Sequence, residues 1–226
     1  MLRYTGIAQH HHKGAISLEA PRASSPLFES VETSGVVMPF ERNGEIFGDN
    51  EPADYLYKVV SGAVRTYRVL HDGRRQVCGF YLPGEIFGLE AGEDHTCSAE
   101  AITPSTVALL KRRTIVALAQ EDGDVARQLW GVTARELHRA QQHALLLIKS
   151  AQERVAALLL DMAERLRAGR SFDLPMSRQD IADYLGLTIE TVSRTLTILE
   201  TVAAIELPSS RRVIMRNRST LAALNA

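Results

Sequence analysis

Two hydrophobic periodicities divide this chain. Through residues 27 to 119, apolar positions come in short β-prone runs broken by Gly44, Gly48, Gly62, Gly73, Gly79, Gly84, Gly88 and Gly92, a pattern that predicts an antiparallel sandwich or roll. Its clearest hairpin joins Ala63–Leu70 to Arg75–Tyr81 through His71-Asp72-Gly73-Arg74, where Asp-Gly supplies the positive φ of a tight turn. From Asp122 to Lys149 the period changes. Leu129, Thr133, Leu137, Ala140, Ala144 and Leu147 recur every three or four residues and predict one apolar face of a long helix. A second stripe, Trp130, Leu145 and Ile148, is read as lying around the other side, so the helix has two contacts to satisfy, one with its own domain and one with a partner.

Ser150-Ala151-Gln152-Glu153 reads as a capping box, Ser at N-cap and Glu at N3. The domain boundary is therefore set at Lys149 and Ser150. The helix that follows, Ala151 to Arg167, turns Val155, Leu158, Leu159, Met162 and Leu166 inward and leads through Ala168-Gly169-Arg170 into a shorter pair of helices. The first of these runs from Ser177 to Leu185 with Ile181, Ala182 and Leu185 as its apolar stripe, and it stops where Gly186 can adopt a left-handed conformation. Thr188 caps the second. There Val192, Leu196 and Leu199 must face inward, leaving Glu190, Ser193, Arg194 and Thr197 outside. Ala204–Leu207 and Arg212–Met215, separated by Pro208-Ser209-Ser210-Arg211, predict a hairpin wing.

A helix, a turn, a helix and a wing suit the DNA major groove. Arg can donate two hydrogen bonds to guanine, Glu can accept from cytosine, and Ser can bond to either kind of base edge. Taken alone, Glu190 and Arg194 also read as an ordinary i, i+4 surface ion pair worth about 0.2–0.5 kcal/mol. The wing favours the DNA reading: Arg211, Arg212, Arg216 and Arg218 crowd it, and no acidic residue follows Glu206. Clustered arginines suit phosphates, which position a protein without specifying sequence. Backbone contacts are expected from Ser177, Arg178, Thr188, Thr191, Arg211 and Arg212.

Ser177 to Ala223 resembles the C-terminal domain of the CRP/FNR family of bacterial transcription regulators. Val59–Leu70, the Asp72-Gly73 turn and Phe80–Gly92 resemble that family's β-roll sensor, so the likeness covers about Leu27 to Ala223. The resemblance implies an α+β chain of four parts: a tail over residues 1–26, a cyclic-nucleotide-binding-like antiparallel β-roll over 27–121, a dimerisation helix over 122–149, and a winged helix-turn-helix over 150–226. It implies a homodimer joined by a parallel coiled coil along Leu129, Thr133, Leu137, Ala140, Ala144 and Leu147, with RNA polymerase as a partner. Glu190-x-x-Ser193-Arg194 is the signature of the FNR-like and FixK-like branches, which read TTGAT half-sites and their inverted repeats. Carried over, Glu190 and Arg194 read the G·C pair and Ser193 a neighbouring thymine.

The sensor narrows the branch. Gly88-Leu89-Glu90 stands where a cyclic-nucleotide site needs Gly-Glu-Leu, and Asp94-His95-Thr96-Cys97-Ser98 lacks the arginine a phosphate requires. Cys78 and Cys97 are too few for a four-thiolate cluster, which makes the chain similar to FixK-like activators of low-oxygen, denitrification or nitrogen-fixation circuits. Haem ligation by His71, His95 or a tail histidine stays open at this point, and no metal or cofactor is assigned. The consecutive His10, His11 and His12 belong to a solvated tail, because three adjacent side chains cannot converge on one ion.

Composition adds exclusions. With 226 residues, 45% hydrophobic content and a net charge of -1, the chain is an ordinary globular protein whose DNA affinity must come from local charge. It has no apolar run of 18 residues and no secretory pattern at its start, so a cytoplasmic protein without membrane contact is expected. The solitary His71 and His95 do not form the strand histidine cluster of a cupin-like metalloenzyme, so no enzymatic activity is expected. A nucleotide-binding module acting on a protein partner would have no use for the basic wing.

Overall fold

A computed structural model describes residues 35–224. The tail expected over 1–26, with His10, His11 and His12, and residues 27–34 lie outside the described residues.

Eight strands build the sensor: β1 (Val36–Phe40), β2 (Glu45–Phe47), β3 (Tyr55–Ser61), β4 (Val64–Val69), β5 (Arg75–Tyr81), β6 (Ile86–Phe87), β7 (Ser98–Ala101) and β8 (Ser105–Lys111). They pair antiparallel in two four-stranded sheets, ordered β1-β8-β3-β6 and β2-β7-β4-β5. The β4–β5 hairpin turns at Gly73, which has φ 81°, and is closed by the Leu70 amide donating to Arg74 O at 2.8 Å. Between the sheets lie Phe47, Tyr57, Val59, Val64, Tyr81, Phe87, Ala99 and Val107, all buried. Gly62 shows why the β3–β4 corner needs glycine: with φ +83°, its Cβ would stand 2.2 Å from Ser105 Oγ and 2.5 Å from Pro104 O.

Helix α1 (Arg112–Glu121) follows β8, then α2 (Gly123–Leu146) and α3 (Ala151–Arg165). The sequence reading carried strand character through this region and missed α1. Its Thr114-Ile115-Val116 run is β-branched, but burying Ile115 against Leu110, Val125 and Val132 outweighs that local preference. Asp122 caps α2 through the Asp124 amide. Ser150 and Glu153 form the capping box of α3 as read from the sequence. Helix α3 ends two residues before the expected Arg167, which takes a left-handed φ of 47°.

The C-terminal unit contains α4 (Arg178–Leu185), α5 (Ile189–Thr201), the strands β9 (Ser171–Asp173), β10 (Ile205–Glu206) and β11 (Arg212–Met215), and a closing helix α6 (Arg218–Leu224). The predicted hairpin is present, β10 pairing antiparallel with β11, and β9 adds a third strand to give the order β10-β11-β9. β9 and α6 are further corrections to the sequence reading. Three residues offer a single alternation to read, and α6 is anchored by one fully buried side chain, Leu221.

Sensor and reading head share one core. Ala63, Val77, Phe80, Leu82 and Ile102 of the roll belong to the same buried cluster as Leu159, Met162, Ile181, Leu185, Val192, Leu196 and Leu199. Polar contacts reinforce the join. Arg165 donates to both oxygens of Glu85, at 3.0 and 2.6 Å, and to the Phe80 carbonyl at 2.5 Å.

Candidate nucleic-acid interface

Helices α4 and α5 are joined by a turn whose pivot is Gly186, with φ 62° and ψ 40°. The Leu187 amide donates to Ala182 O at 3.0 Å and closes the end of α4. The Thr188 hydroxyl caps α5 by accepting from the Thr191 amide at 3.2 Å. Val192, Leu196 and Leu199 are wholly buried, and this fixes which side of α5 faces outward. Glu190, Ser193 and Arg194 all stand exposed in its first two turns, the part of a recognition helix that reaches base edges.

No ion pair closes between Glu190 and Arg194, so the Arg194 fork is available to an outside acceptor. Glu190's own backbone amide and the Thr188 hydroxyl hold its carboxyl below the usual carboxylate range. It is therefore ionised at neutral pH and can only accept, as a contact to a cytosine amino group requires. Thr197 turns back along the helix, donating to Ser193 O at 3.1 Å.

The residues expected against the DNA backbone are placed less uniformly. Thr188 and Thr191 sit together at the N-terminus of α5, their hydroxyls 3.1 Å apart. The Ser177 hydroxyl donates to Asp180 Oδ2 at 2.7 Å and accepts from the Asp180 amide at 3.1 Å, completing a capping box for α4. Arg178 is half-buried, with Nη1 lacking a hydrogen-bond partner among the described residues, and burial lowers its guanidinium pKa. Arg211 donates to Pro175 O at 3.2 Å. Arg212 is paired with Asp173 at 2.7 Å, and Arg216 with Glu206. The wing is therefore less basic than its sequence suggests, because the overlooked β9 brings Asp173 against it.

The long helix places its stripes differently from the reading. Trp130, Leu137 and Ile148 are 76%, 60% and 82% exposed, and Thr133, Ala140 and Ala144 are exposed with them. At about 100° per residue, Trp130 falls within about 20° of Leu137 and so joins the first stripe, while Leu145, also exposed, lies about 80° away, and Ile148 follows the end of the helix. Leu129 turns away from this exposed face and packs with the buried Val125 and Val132. Leu147 is half-buried, its Cδ2 beside Gly186.

The roll interior is occupied by protein. His95, 1% exposed, stacks on Phe47 with centroids 3.6 Å apart, and Nδ1 lies 3.1 Å from Glu90 Oε1. The Tyr57 ring lies against Gly88, where an added Cβ would come within 2.7 Å of it. His71 sits exposed on the β4–β5 turn. Burial, followed by the nearby Cys78 and Glu90, pushes the Cys97 thiol up to about 12, so it stays protonated.

One titratable group joins α2 to the reading head. His143 stacks on Tyr184 at 4.1 Å and 3°. Its Nε2 lies 2.7 Å from Tyr184 O, and because a carbonyl only accepts, Nε2 carries the proton. Burial lowers the imidazole pKa against the opposing effect of that hydrogen bond. The contact's stabilisation is therefore complete above the ordinary imidazole value, about 6.5, and lost as pH falls through the lowered folded value. We predict that thermal stability declines below that pH in the native protein and declines less in His143→Gln; identical pH profiles would remove His143 as the cause.

Comparison with known proteins agrees with this architecture. Residues 153–224 match the Crp-like helix-turn-helix domain and residues 37–122 the cyclic nucleotide-binding domain. The chain is 50% identical over 202 residues to the nitrogen fixation regulation protein FixK of Azorhizobium caulinodans, spanning 87% of this chain and 82% of that one. It is 46% identical to the protein of the same name from Rhizobium meliloti, over 84% of this chain and 87% of that one. The structure of FixK2 from Bradyrhizobium japonicum superposes with a TM-score of 0.82 at 49% identity, covering 85% of this chain and 98% of that chain. With a β-roll, a long helix and an exposed Glu-x-x-Ser-Arg face in place, the chain belongs to the CRP/FNR family of DNA-binding transcription regulators, on its FixK-like branch.

Proposed function

We propose that this chain is an activator that binds as a homodimer to TTGAT-type inverted repeats, without a small-molecule effector, in a low-oxygen, denitrification or nitrogen-fixation circuit. The observation that carries the reading is the exposed face of α5, where Glu190, Ser193 and Arg194 stand together and Arg194 has no ion pair among the described residues. Glu190 and Arg194 read the G·C pair of each half-site and Ser193 the adjacent thymine. Thr188, Thr191, Ser177, Arg178, Arg211 and Arg212 hold the phosphates, Arg212 by exchanging Asp173 for a phosphate oxygen. The uncovered seam of α2 supports the dimer, and the nitrogen-fixation names of the relatives support the circuit. The protein acts in the cytoplasm, on promoter DNA and with RNA polymerase.

Effector independence is supported by the roll. Phe47, Tyr57, Tyr81, Phe87 and His95 fill its interior, and Glu90 beside His95 would repel an anionic phosphate. Purified protein freed of small molecules is expected to retard a TTGAT palindrome in a mobility-shift assay. A shift that appears only after a cyclic nucleotide or haem is added would sink the effector-independent reading.

A further inference from the structure

We propose that Asp180 sets the orientation of the reading head on the sensor, as a positioning residue for palindrome recognition. The proposal rests on the dimeric reading above and names how its geometry is held without a ligand.

Asp180 lies at the third position of α4 and is 3% exposed. Its Oδ2 serves its own helix, accepting from the Ser177 amide at 2.9 Å and hydroxyl at 2.7 Å. Its Oδ1 faces the sensor and accepts from Arg65 Nη1 on β4 and Arg75 Nη2 on β5, both at 2.7 Å. One carboxylate thus ties the start of α4 to two strands of the roll. The arginines are themselves held. Arg65 Nη2 donates to Glu100 on β7 at 2.8 Å, and Arg75 Nε to Asp183, one turn further along α4, at 2.8 Å.

Exposed ion pairs contribute little, but this group is mostly buried, with Arg65 and Asp180 side chains 9% and 4% exposed. Inside a protein, charge-assisted forks are short and directional, and their geometry admits few alternatives. Two of the three carboxylates around Arg65 and Arg75, Asp180 and Asp183, come from α4, so these bonds between head and roll form only in this arrangement, while Glu100 holds Arg65 within the roll. Beside it, Tyr184 is held between His143 and Phe80. Helix α4 carries α5 through the tight Gly186 turn, so fixing α4 fixes the recognition helix.

A palindrome requires both recognition helices at one separation, about 34 Å for half-sites a helical turn apart. A head that swings on α3 still binds one half-site but presents the second at a lower effective concentration. In a roll filled by its own side chains, the Arg65–Asp180–Arg75 contact provides the pre-organisation that a ligand would otherwise supply.

The test compares full-length Asp180→Asn with native protein on palindromic and single half-site duplexes. Asparagine keeps the size of the side chain, and Glu100 and Asp183 still pair the arginines. The palindrome-to-half-site affinity ratio is expected to fall about tenfold to a hundredfold, with half-site affinity unchanged. Arg75→Gln, at a position whose side chain is 26% exposed, should lower the ratio in the same direction and serves if Asp180→Asn does not fold. Hydrogen exchange in the free protein should quicken in α4 and the β4–β5 hairpin but not at Leu196 and Leu199. A native ratio together with native exchange in a folded variant overturns the proposal. Equal loss on both duplexes does so too, since that is what damage to the reading face produces. If native protein shows no palindrome preference, the dimeric reading fails, and exchange alone decides whether Asp180 holds the head.

Discussion

Leu137→Glu is expected to leave each chain folded and to abolish the palindrome recognition proposed above. Leu137 stands 60% exposed on a seam that also carries Trp130, at 76%. No other part of the described chain covers it. In the dimer proposed above, this exposed face of the 24-residue helix would pack against the same face of the partner. A carboxylate at its centre would be desolvated in both subunits at once, next to its symmetry mate. Because the residue faces solvent in the single chain, the substitution adds little strain to the subunit itself. Losing the dimer replaces two linked binding events by independent ones, a loss of about 10² to 10⁴ in apparent affinity. Sedimentation equilibrium with mobility shifts on palindrome and half-site duplexes checks this. A variant that stays dimeric, or a monomer that binds the palindrome like native protein, would move the seam elsewhere.

Arg194→Ala is expected to cost about 1–3 kcal/mol, or roughly tenfold to more than a hundredfold, on TTGAT-containing duplexes, and to relax preference at the guanine. The side chain is exposed, makes no ion pair with the described residues and lies one turn along α5 from Glu190. Its removal therefore leaves the fold intact and takes away the bidentate donor. Competition between duplexes that differ only at the G·C pair separates the two roles of an arginine. A phosphate contact weakens every duplex alike. Equal loss on specific and random DNA would make Arg194 such a contact.

The reading head was legible because several local signals agree there. Ile181, Leu185, Val192, Leu196 and Leu199 can face one core only if two helices meet at Gly186, and Ser177 and Thr188 mark where each begins. The roll was legible as breakers between β-prone runs, though its sheet order was not. What escaped was decided by partners far away in the chain. Asp180 has no role in the sequence reading, and nothing near it points to Arg65 and Arg75, 115 and 105 residues earlier. Arg212 reads as a free cation until β9 brings Asp173 beside it. On the long helix, spacing located the apolar positions, but only packing against Val125 and Val132 shows that Leu129 belongs to the subunit's own core.

The core shared by roll and head also governs how the chain comes apart. Phe80, Leu82 and Ile102 belong to the cluster that Leu159, Met162 and Leu185 complete, so melting the head wets this face of the roll, although the residues between its sheets form a core of their own. Heat that melts the head should therefore lower the stability of the roll as well. Whatever binds the folded recognition helix draws the whole population toward the native state. Promoter DNA then acts as a stabiliser of strands it never touches, and a subunit off its operator is the one more exposed to cellular proteases.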